Sequence, residues 1–293
     1  MISLKNKIFS PSHQDLILLW LLRIIALLTG IIVILILIFL LDEALPVLKE
    51  VGWLAFIKDP SWHPLEGFYN IMPMVWGTLL ITLDSVILAI PLGIGSAIFC
   101  EYYAPSSIGI IYHQLIELLA GIPSVVYGFW GLIKLVPIIN QIQAPGTSVL
   151  AGIAILTLMI LPTVALTTQA SFKEVPQEYI QGAVALGISH WRTIYKVILP
   201  SALSGILTGI ILATTRAIGE TMAVLMVCGN VVQTPKSLFD PVRTLTANIA
   251  LEMAYAEGNH RSALFVSGLF LMIAIAILII LAELITSRSS MSK

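Results

Sequence analysis

The chain has 293 residues, of which 58% are hydrophobic and 11% charged, and its mean hydropathy is +0.99. A water-soluble domain carries about 25% charged residues, so this composition excludes an ordinary soluble protein and predicts lipid as the main solvent. Fifteen Lys and Arg against sixteen Asp and Glu leave a net charge of -1. That balance excludes a nucleic-acid-binding domain and a polybasic membrane-surface module.

Six apolar runs are long enough to cross a bilayer, whose core of about 30 Å needs about 20 helical residues. They cover residues 16–41, 71–99, 109–133, 147–170, 200–227 and 263–286. The first is too long for a signal-peptide core and has no small-residue cleavage site after it, so we interpret it as a retained anchor. Prolines within the spans require neighbouring helices to satisfy the freed carbonyls. The sequence therefore predicts an all-α integral membrane protein of about six packed transmembrane helices.

The orientation rests on the charged residues of the connections. The long connections 42–70 and 228–261 are rich in Asp and Glu, whereas the tails carry Lys5, Lys7, Arg288 and Lys293. We therefore expect both termini in the cytoplasm. The expected organisation is an N-terminal tail, anchor helix and outer segment over 1–70, a transmembrane domain over 71–287 and a tail over 288–293.

Residues 174–200 form a connection that predicts a cytoplasmic helical hairpin. Pro176 suits the first position of a helix, and Glu178 suits its first turn, where a carboxylate complements the helix dipole. Gly187 is able to end that helix in the left-handed conformation, Ser189 to cap a second one, and Pro200 interrupts its continuation. From periodicity alone, an amphipathic hairpin lying on headgroups or on its own bundle is an equal alternative.

The hairpin resembles the EAA loop of permease subunits of bacterial ABC importers. The resemblance lies in Gln181-Gly182-Ala183, in Gly187 and in the pair Leu199-Pro200. Gln181 stands where the motif has Glu, and Gly182 where it has the first Ala, while the glycine, the spacing and the Leu-Pro pair are kept. In that family the loop is the coupling helix, which sits in a groove of the cytoplasmic ATPase.

Longer segments narrow the resemblance to the phosphate-specific (Pst) permeases. They are ELLAGIPSVVYGFWGL at 117–132, PLGIG at 91–95 and RAIGETMAVLMV at 216–227. The Tyr127-Gly-Phe-Trp-Gly form is more similar to the PstC type than to the PstA type. The similarity runs from about residue 69 to about residue 284.

This resemblance implies an ABC type I importer permease fold in a bacterial inner membrane. It implies a PstA-type second permease, two PstB-type cytoplasmic ATPase subunits, a PstS-type extracytoplasmic phosphate-binding protein, and phosphate as substrate. The ATPase-coupling residues carried over from the family are Glu178, Gln181, Gly182, Ala183, Gly187 and Pro200. The alternatives are a permease for another oxyanion, such as molybdate or sulfate, and an ion-coupled carrier without an ATPase.

Arg216 and Glu220 are four residues apart inside the predicted fifth span, so we expect them to share one helix face. An Arg at mid-membrane costs roughly 2.5 to 3.5 kcal/mol, which makes an intramembrane charge a candidate functional site. A closed ion pair would be only structural. The alternative is a guanidinium available to an oxyanion, whose oxygens match its planar donors. The Pst resemblance implies that both residues matter for translocation.

Four further polar residues are candidates for the substrate pathway: Thr215, Thr221, Asp84 and Ser124. The threonines are able to add hydroxyl donors near Arg216, although Thr in membrane helices more often bonds its own backbone. Asp84 either pairs with Arg216 or lies near a helix end. Ser124 follows Pro123, which is expected to interrupt a helix as in other transporters.

The sequence contains none of the catalytic or metal-binding motifs that we looked for as signs of an enzyme. The five histidines are scattered, the two cysteines are far apart, and no HExxH, G-x-S-x-G or G-x-x-x-x-G-K-[ST] motif occurs. We therefore expect no catalytic residues, no metal and no cofactor, with ATP hydrolysis left to a partner subunit.

Overall fold

A computed structural model describes residues 13–291, with side chains from Asp15 to Ile280, so Lys5, Lys7 and Lys293 and the Arg288 side chain lie outside the described part. The long helices are α1 (His13–Val51), α3 (Met72–Ile98), α4 (Ser106–Gly121), α7 (Val149–Lys173), α11 (Leu203–Ile218) and α14 (Gly258–Met291). The shorter ones are α2 (Ala55–Lys58), α5 (Ser124–Trp130), α6 (Val136–Ile142), α8 (Gln177–Ala185), α9 (His190–Thr193), α10 (Leu199–Ser201), α12 (Met222–Val227) and α13 (Leu245–Glu252). A small antiparallel hairpin joins β1 (Trp62–His63) to β2 (Phe68–Tyr69).

The predicted count of about six spans is confirmed. In the described part, five helical segments are long and apolar enough to cross a membrane, and a bent pair makes up to six. The bounds of two spans were wrong. The third runs over Ser124–Ile142 rather than 109–133, because the helix breaks at Ile122 and Pro123. The fifth is bent by 69° between His190–Ser201 and Leu203–Ile218, and its helix ends before Gly219.

Three apolar clusters stack along the bundle. One joins the end of α1, the β-hairpin, α13 and the start of α14, and we call this side the loop end. The middle cluster joins α3, α7, α11 and α12. The third joins the ends of α3 and α7 to residues 194–206, and we call this side the hairpin end. Because α1 ends and α14 begins at the loop end, both termini of the described chain lie toward the hairpin end.

Small residues let α7 approach its neighbours closely. A Cβ at Gly205 or Gly209 of α11 would overlap the side chains of Ser171 or Thr167. Gly93 of α3 is equally tight, since its Cβ would lie 2.7 Å from Cγ1 of Val164. Without a hydrophobic driving force in lipid, such close backbone packing is what holds membrane helices together.

Three π turns interrupt the helical geometry, at Phe99–Tyr103, Gly131–Leu135 and Ile194–Ile198. Each ends two residues before a proline: Pro105, Pro137 and Pro200. A proline lacks the N–H that the carbonyl one turn back would accept, and its ring clashes with that carbonyl. In each π turn the residue before the proline donates its N–H to the carbonyl five residues back, as when Ala104 N–H bonds the Phe99 carbonyl at 2.8 Å.

Gly209→Ala should destabilise the bundle by about 1 to 3 kcal/mol, because the added methyl group forces α11 away from α7. The measurement is the midpoint of thermal unfolding of the purified protein in detergent. Gly95→Ala is the matched control, since a Cβ at Gly95 meets nothing within 4 Å. If the Gly209→Ala and Gly95→Ala proteins had the same midpoint of thermal unfolding, the α7–α11 contact would tolerate the added methyl group.

Candidate functional site

Arg216 lies in the last turn of α11 with its side chain half-buried. Its Nη1 donates a long hydrogen bond of 3.4 Å to the Thr163 hydroxyl on α7. Within residues 15–280 no carboxylate forms an ion pair with Arg216. The guanidinium therefore keeps most of its donors for another acceptor.

Glu220 does not share a helix face with Arg216, so this expectation was wrong. The helix ends at Ile218, and Gly219 to Thr221 form a break before α12. The Glu220 carboxylate instead accepts a 3.0 Å hydrogen bond from the Ala223 N–H. The Glu220 carbonyl accepts a 2.8 Å hydrogen bond from the Thr246 hydroxyl of α13. Glu220 therefore closes the break and is not a counter-ion of Arg216 in this conformation.

The hydroxyl groups of the threonines near Arg216 donate hydrogen bonds to carbonyls of their own backbone segment, which is the commoner behaviour of Thr in membrane helices. Thr215 donates to the Leu212 carbonyl at 2.9 Å, and Thr221 donates to the Gly219 carbonyl at 3.2 Å. Ser124 is the first residue of α5 and directly follows the break at Pro123, where a broken helix was expected. Ser124 and Thr221 border helix breaks, and Thr215 lies in the last turn of α11, just before one.

Asp84 is separate from Arg216. Neither expected alternative holds, because the pair is not formed and Asp84 lies near the middle of α3 rather than near an end. Ser85, about 100° away around the helix, donates to the Ile153 carbonyl of α7 and so marks the inner face. Asp84 instead lies among the exposed Leu83, Ile87 and Leu88, and within the described residues no hydrogen bond reaches its carboxylate.

Tyr127 joins the start of the third span to the preceding helix α4. Its side chain is buried, and its hydroxyl donates a 2.8 Å hydrogen bond to the Leu119 carbonyl, across the break at Ile122 and Pro123. An apolar cavity of about 390 Å³ adjoins it, lined by Leu119, Ile122, Val126, Tyr127, Trp130, Leu158 and Leu161. The break therefore opens space beside the helix without leaving the Leu119 carbonyl unsatisfied.

The helical hairpin is formed as the sequence predicts, with small differences. Pro176 precedes α8 instead of starting it, and Gly187 is left-handed with φ +72°. Ile188 N–H bonds the Ala183 carbonyl and Gly187 N–H bonds the Val184 carbonyl, a Schellman motif. Ser189 precedes α9 but makes no side-chain cap hydrogen bond.

Five of the six predicted coupling residues are exposed at the hairpin end: Glu178, Gln181, Gly182, Gly187 and Pro200. The sixth, Ala183, is buried and packs α8 against the rest of this chain. The expectation that Ala183 contacts the ATPase was therefore wrong. Three large apolar side chains of the hairpin were not among the predicted coupling residues. Val184, Leu186 and Trp191 are exposed, and Leu186 has 81% of its surface free.

The hairpin is fastened to the bundle. Val175, Ile194 and Ile198 lie in the apolar cluster of the hairpin end with Phe172 of α7. His190 contacts the Tyr102 carbonyl at 3.3 Å and stacks edge-on against Tyr103, at the end of the third helix. A displacement of the hairpin therefore reaches α3, α7 and α11 directly.

A polar cluster at the loop end was not anticipated. The Glu252 carboxylate of α13 accepts hydrogen bonds from Trp62 (3.0 Å) and Arg243 (2.6 Å) and lies 2.8 Å from the His260 ring nitrogen. Arg243 also donates to Asn248. Glu252 thus joins the β-hairpin, α13 and α14. Its partners are far apart in sequence, so spacing gave no signal for them.

A cleft of about 720 Å³ opens over this cluster. Its lining includes Pro60, Pro64 and Leu65 of the β-hairpin region and residues 230–234. Arg243, Glu252 and His260 lie at its base. Among the described residues, including this cluster, no group of three or more His, Cys, Asp or Glu is placed to hold a metal ion, and Cys100 and Cys228 are free thiols.

Comparison with protein families identifies one match over most of the chain. Residues 89–290 match the family described as "Binding-protein-dependent transport system inner membrane component". The chain is 38% identical over 239 residues to the "Probable ABC transporter permease protein YqgH" of Bacillus subtilis, covering 80% of this chain and 77% of that protein. It is 32% identical over 256 residues to the "Phosphate transport system permease protein PstC" of Mesorhizobium japonicum, covering 80% and 78%.

Solved structures give the same fold at low sequence identity. A chain of the MetNI methionine ABC transporter, in inward-facing conformations, matches with a TM-score of 0.62 at 18% identity, covering 78% of this chain and 98% of that one. A chain of a bacterial alginate ABC transporter matches with a TM-score of 0.64 at 14% identity, covering 94% and 96%. The architecture is therefore that of ABC type I importer permeases.

Arg216 should be reachable from water. In a protein with Cys100 and Cys228 replaced by Ala, Arg216→Cys is expected to react with a membrane-impermeant thiol reagent in open membrane vesicles. Ala213→Cys is the buried control and Leu212→Cys the exposed apolar control on the same helix, and both should stay unlabelled. An unlabelled Arg216→Cys would place the guanidinium in a sealed environment.

Proposed function

Because this chain belongs to the family of binding-protein-dependent transport system inner membrane components, we propose that it is a membrane subunit of an ATP-driven importer of inorganic phosphate. The PstC-type relatives name phosphate as the transported anion. Arg216 is the observation that carries the proposal, since an Arg in a spanning helix is costly to keep unless its charge is used. Its free donors suit the oxygens of phosphate.

Arg216 would attract phosphate without trapping it. The guanidinium is planar and presents paired N–H donors, which match two oxygens of one phosphate group. Only Thr163 bonds it among the described residues, so no strong contact has to be broken before substrate binds. One cation against a doubly charged anion gives binding that remains weak enough for release on the far side.

Glu220 would act beside Arg216 rather than through an ion pair with it. The carboxylate holds the start of α12 through the Ala223 N–H, which fixes the break at the end of α11. A carboxylate at this point also repels an anion that has passed Arg216. Ser124, Thr215 and Thr221 border the helix breaks, and we assign them to the walls of the same pathway.

The hairpin over 174–200 would connect this pathway to ATP hydrolysis. Its exposed Glu178, Gln181, Gly182 and Gly187, together with Leu186, offer a partner both polar and apolar contacts. The chain has no phosphate-cradling G-x-x-x-x-G-K-[ST] motif. We therefore assign hydrolysis to two cytoplasmic ATPase subunits and consider this subunit non-catalytic.

The complete importer would contain four kinds of subunit in a bacterial inner membrane. A second permease completes the pathway, and an extracytoplasmic binding protein delivers phosphate. With the hairpin at the ATPase, the hairpin end and both termini are cytoplasmic, and the loop end is extracytoplasmic. The transmembrane domain over 71–287 then carries the pathway, and residues 1–70 supply the anchor helix and part of the outer surface.

Arg216→Gln should reduce uptake of labelled phosphate by the reconstituted complex about tenfold or more, because the amide is neutral. Arg216→Lys should be intermediate, since a point charge replaces a bidentate donor. Co-purification of the other subunits is the control for assembly. Uptake at the wild-type rate by Arg216→Gln would contradict the assignment of Arg216 to the substrate pathway. Competition by molybdate or sulfate equal to that by unlabelled phosphate would favour the other oxyanions.

Gly187→Val should uncouple ATP hydrolysis from uptake, because a β-branched residue is strained at φ +72° and the hairpin turn would change shape. The measurement is the number of ATP molecules hydrolysed for each phosphate imported. Gly187→Asn is the control at the same position, since asparagine also adds a side chain but tolerates the left-handed conformation far better than a β-branched residue. An unchanged ratio for Gly187→Val would contradict the coupling role of the turn.

A further inference from the structure

Lys134 lies near the middle of the third span. The bounds expected from the sequence, 109–133, left it just outside that span, but the helix over Ser124–Ile142 places it ten residues from one end and eight from the other. Eight helical residues correspond to about 12 Å, which is more than the four-carbon stem of a lysine spans. The ammonium group therefore stays inside the hydrocarbon layer.

Asp84 is a second mid-membrane charge, of opposite sign. It lies twelve residues after the start of α3 and fourteen before its end. Lys134 is exposed and Asp84 is half-buried. Within residues 15–280 neither side chain has a described hydrogen bond or ion pair. Each charge therefore lacks compensation from this chain.

The two charges lie at nearly the same depth, because both are beside one turn of α7. Ser85, next to the acid, donates to the Ile153 carbonyl of that turn. On the third span, a Cβ at Gly131 would lie 2.8 Å from the Ile155 side chain. Lys134 is three residues beyond Gly131, which is less than one turn of helix. A single neighbour at this depth is therefore able to reach either charge.

Large apolar side chains surround both charges on the outside of the bundle. Leu83, Ile87 and Leu88 are exposed around the acid. Trp130 and Ile138, four residues to either side of the lysine, are exposed as well. Such apolar surfaces do not line a water-filled channel and do not compensate a charge. Unpaired charges are costly at this depth, and the charges that membrane proteins keep there are almost always paired or face water.

We propose that the second permease subunit covers these two faces, with a basic side chain opposite Asp84 and an acidic one opposite Lys134. The inference rests on the proposed function for the presence of that subunit. In the proposed importer the ATPases and the binding protein lie outside the bilayer, so the second permease is the subunit that reaches this depth. The two pairs would also select the correct register of the permeases, because a shifted interface leaves the charges unpaired.

Asp84→Asn and Lys134→Met test the two pairs, since each removes a charge with little change of size. When the complete complex is purified in detergent by a tag on this chain, the second permease that stays bound should fall about tenfold or more in each variant, because the partner's charge is left buried and unpaired. Glu257→Gln and Lys58→Met, which change exposed charges of the loop end outside the spans, are the controls and should retain it. Full retention by Asp84→Asn and Lys134→Met would overturn the proposal.

Thermal unfolding of this chain purified alone separates loss of the partner from misfolding. The midpoint should stay unchanged or rise in Asp84→Asn and Lys134→Met, because neither charge has a described partner within the chain. A lower midpoint would reveal a partner inside this chain and would also overturn the proposal.

Photo-crosslinking identifies the occupant while both charges are kept. A photoreactive phenylalanine analogue at position 88, one turn from Asp84, or at position 138, one turn from Lys134, should form a covalent adduct with the second permease in native membranes. The adduct should disappear when Asp84→Asn or Lys134→Met is added. An adduct with a second copy of this chain, or no protein adduct at either position, would overturn the assignment. These measurements do not depend on the transported anion, so phosphate uptake by the unmodified complex tests the proposed function separately.

Discussion

Hydrocarbon offers no hydrogen bonds, so every interruption of a spanning helix in this protein has to be satisfied by the protein itself. At the described breaks, side chains form hydrogen bonds that bridge the interruption. Tyr127 bonds the Leu119 carbonyl across the break at Pro123. Glu220 and Thr246 close the break after α11 from both directions. These residues determine where the helices are allowed to open, and the charged and hydroxyl groups of the candidate pathway lie at the same places.

The sequence predicted the spans and the hairpin because both depend on local properties. Apolar runs gave six spans, and Pro176 and Gly187 gave the two ends of α8 to within a residue or two. The break at Gly219 to Thr221 was not predictable in this way, because no proline marks it and its hydroxyl donor comes from Thr246, 26 residues further on. The shared helix face expected from the spacing of Arg216 and Glu220 was wrong for the same reason.

The polar cluster at the loop end was also not predictable from local sequence. In the sequence Glu252 is an ordinary acidic residue of an outer connection, but its carboxylate accepts a hydrogen bond from Trp62, which is 190 residues away in the chain. A buried carboxylate of this kind is costly unless several donors converge on it. Asp84 is the opposite case, an acid without a described partner on the outer face of α3.

The π turns before Pro137 and Pro200, after which the helix continues, have a further consequence for the geometry of the bundle. A π turn holds one residue more than an ordinary turn, so every side chain beyond it is rotated by about 100° relative to an uninterrupted helix. The proline thus resets the phase of the helix that follows. Replacing Pro200 by alanine would not simply straighten this segment. It would allow the extra residue to be redistributed, and Ile194 and Ile198 would then face different neighbours from those they have now.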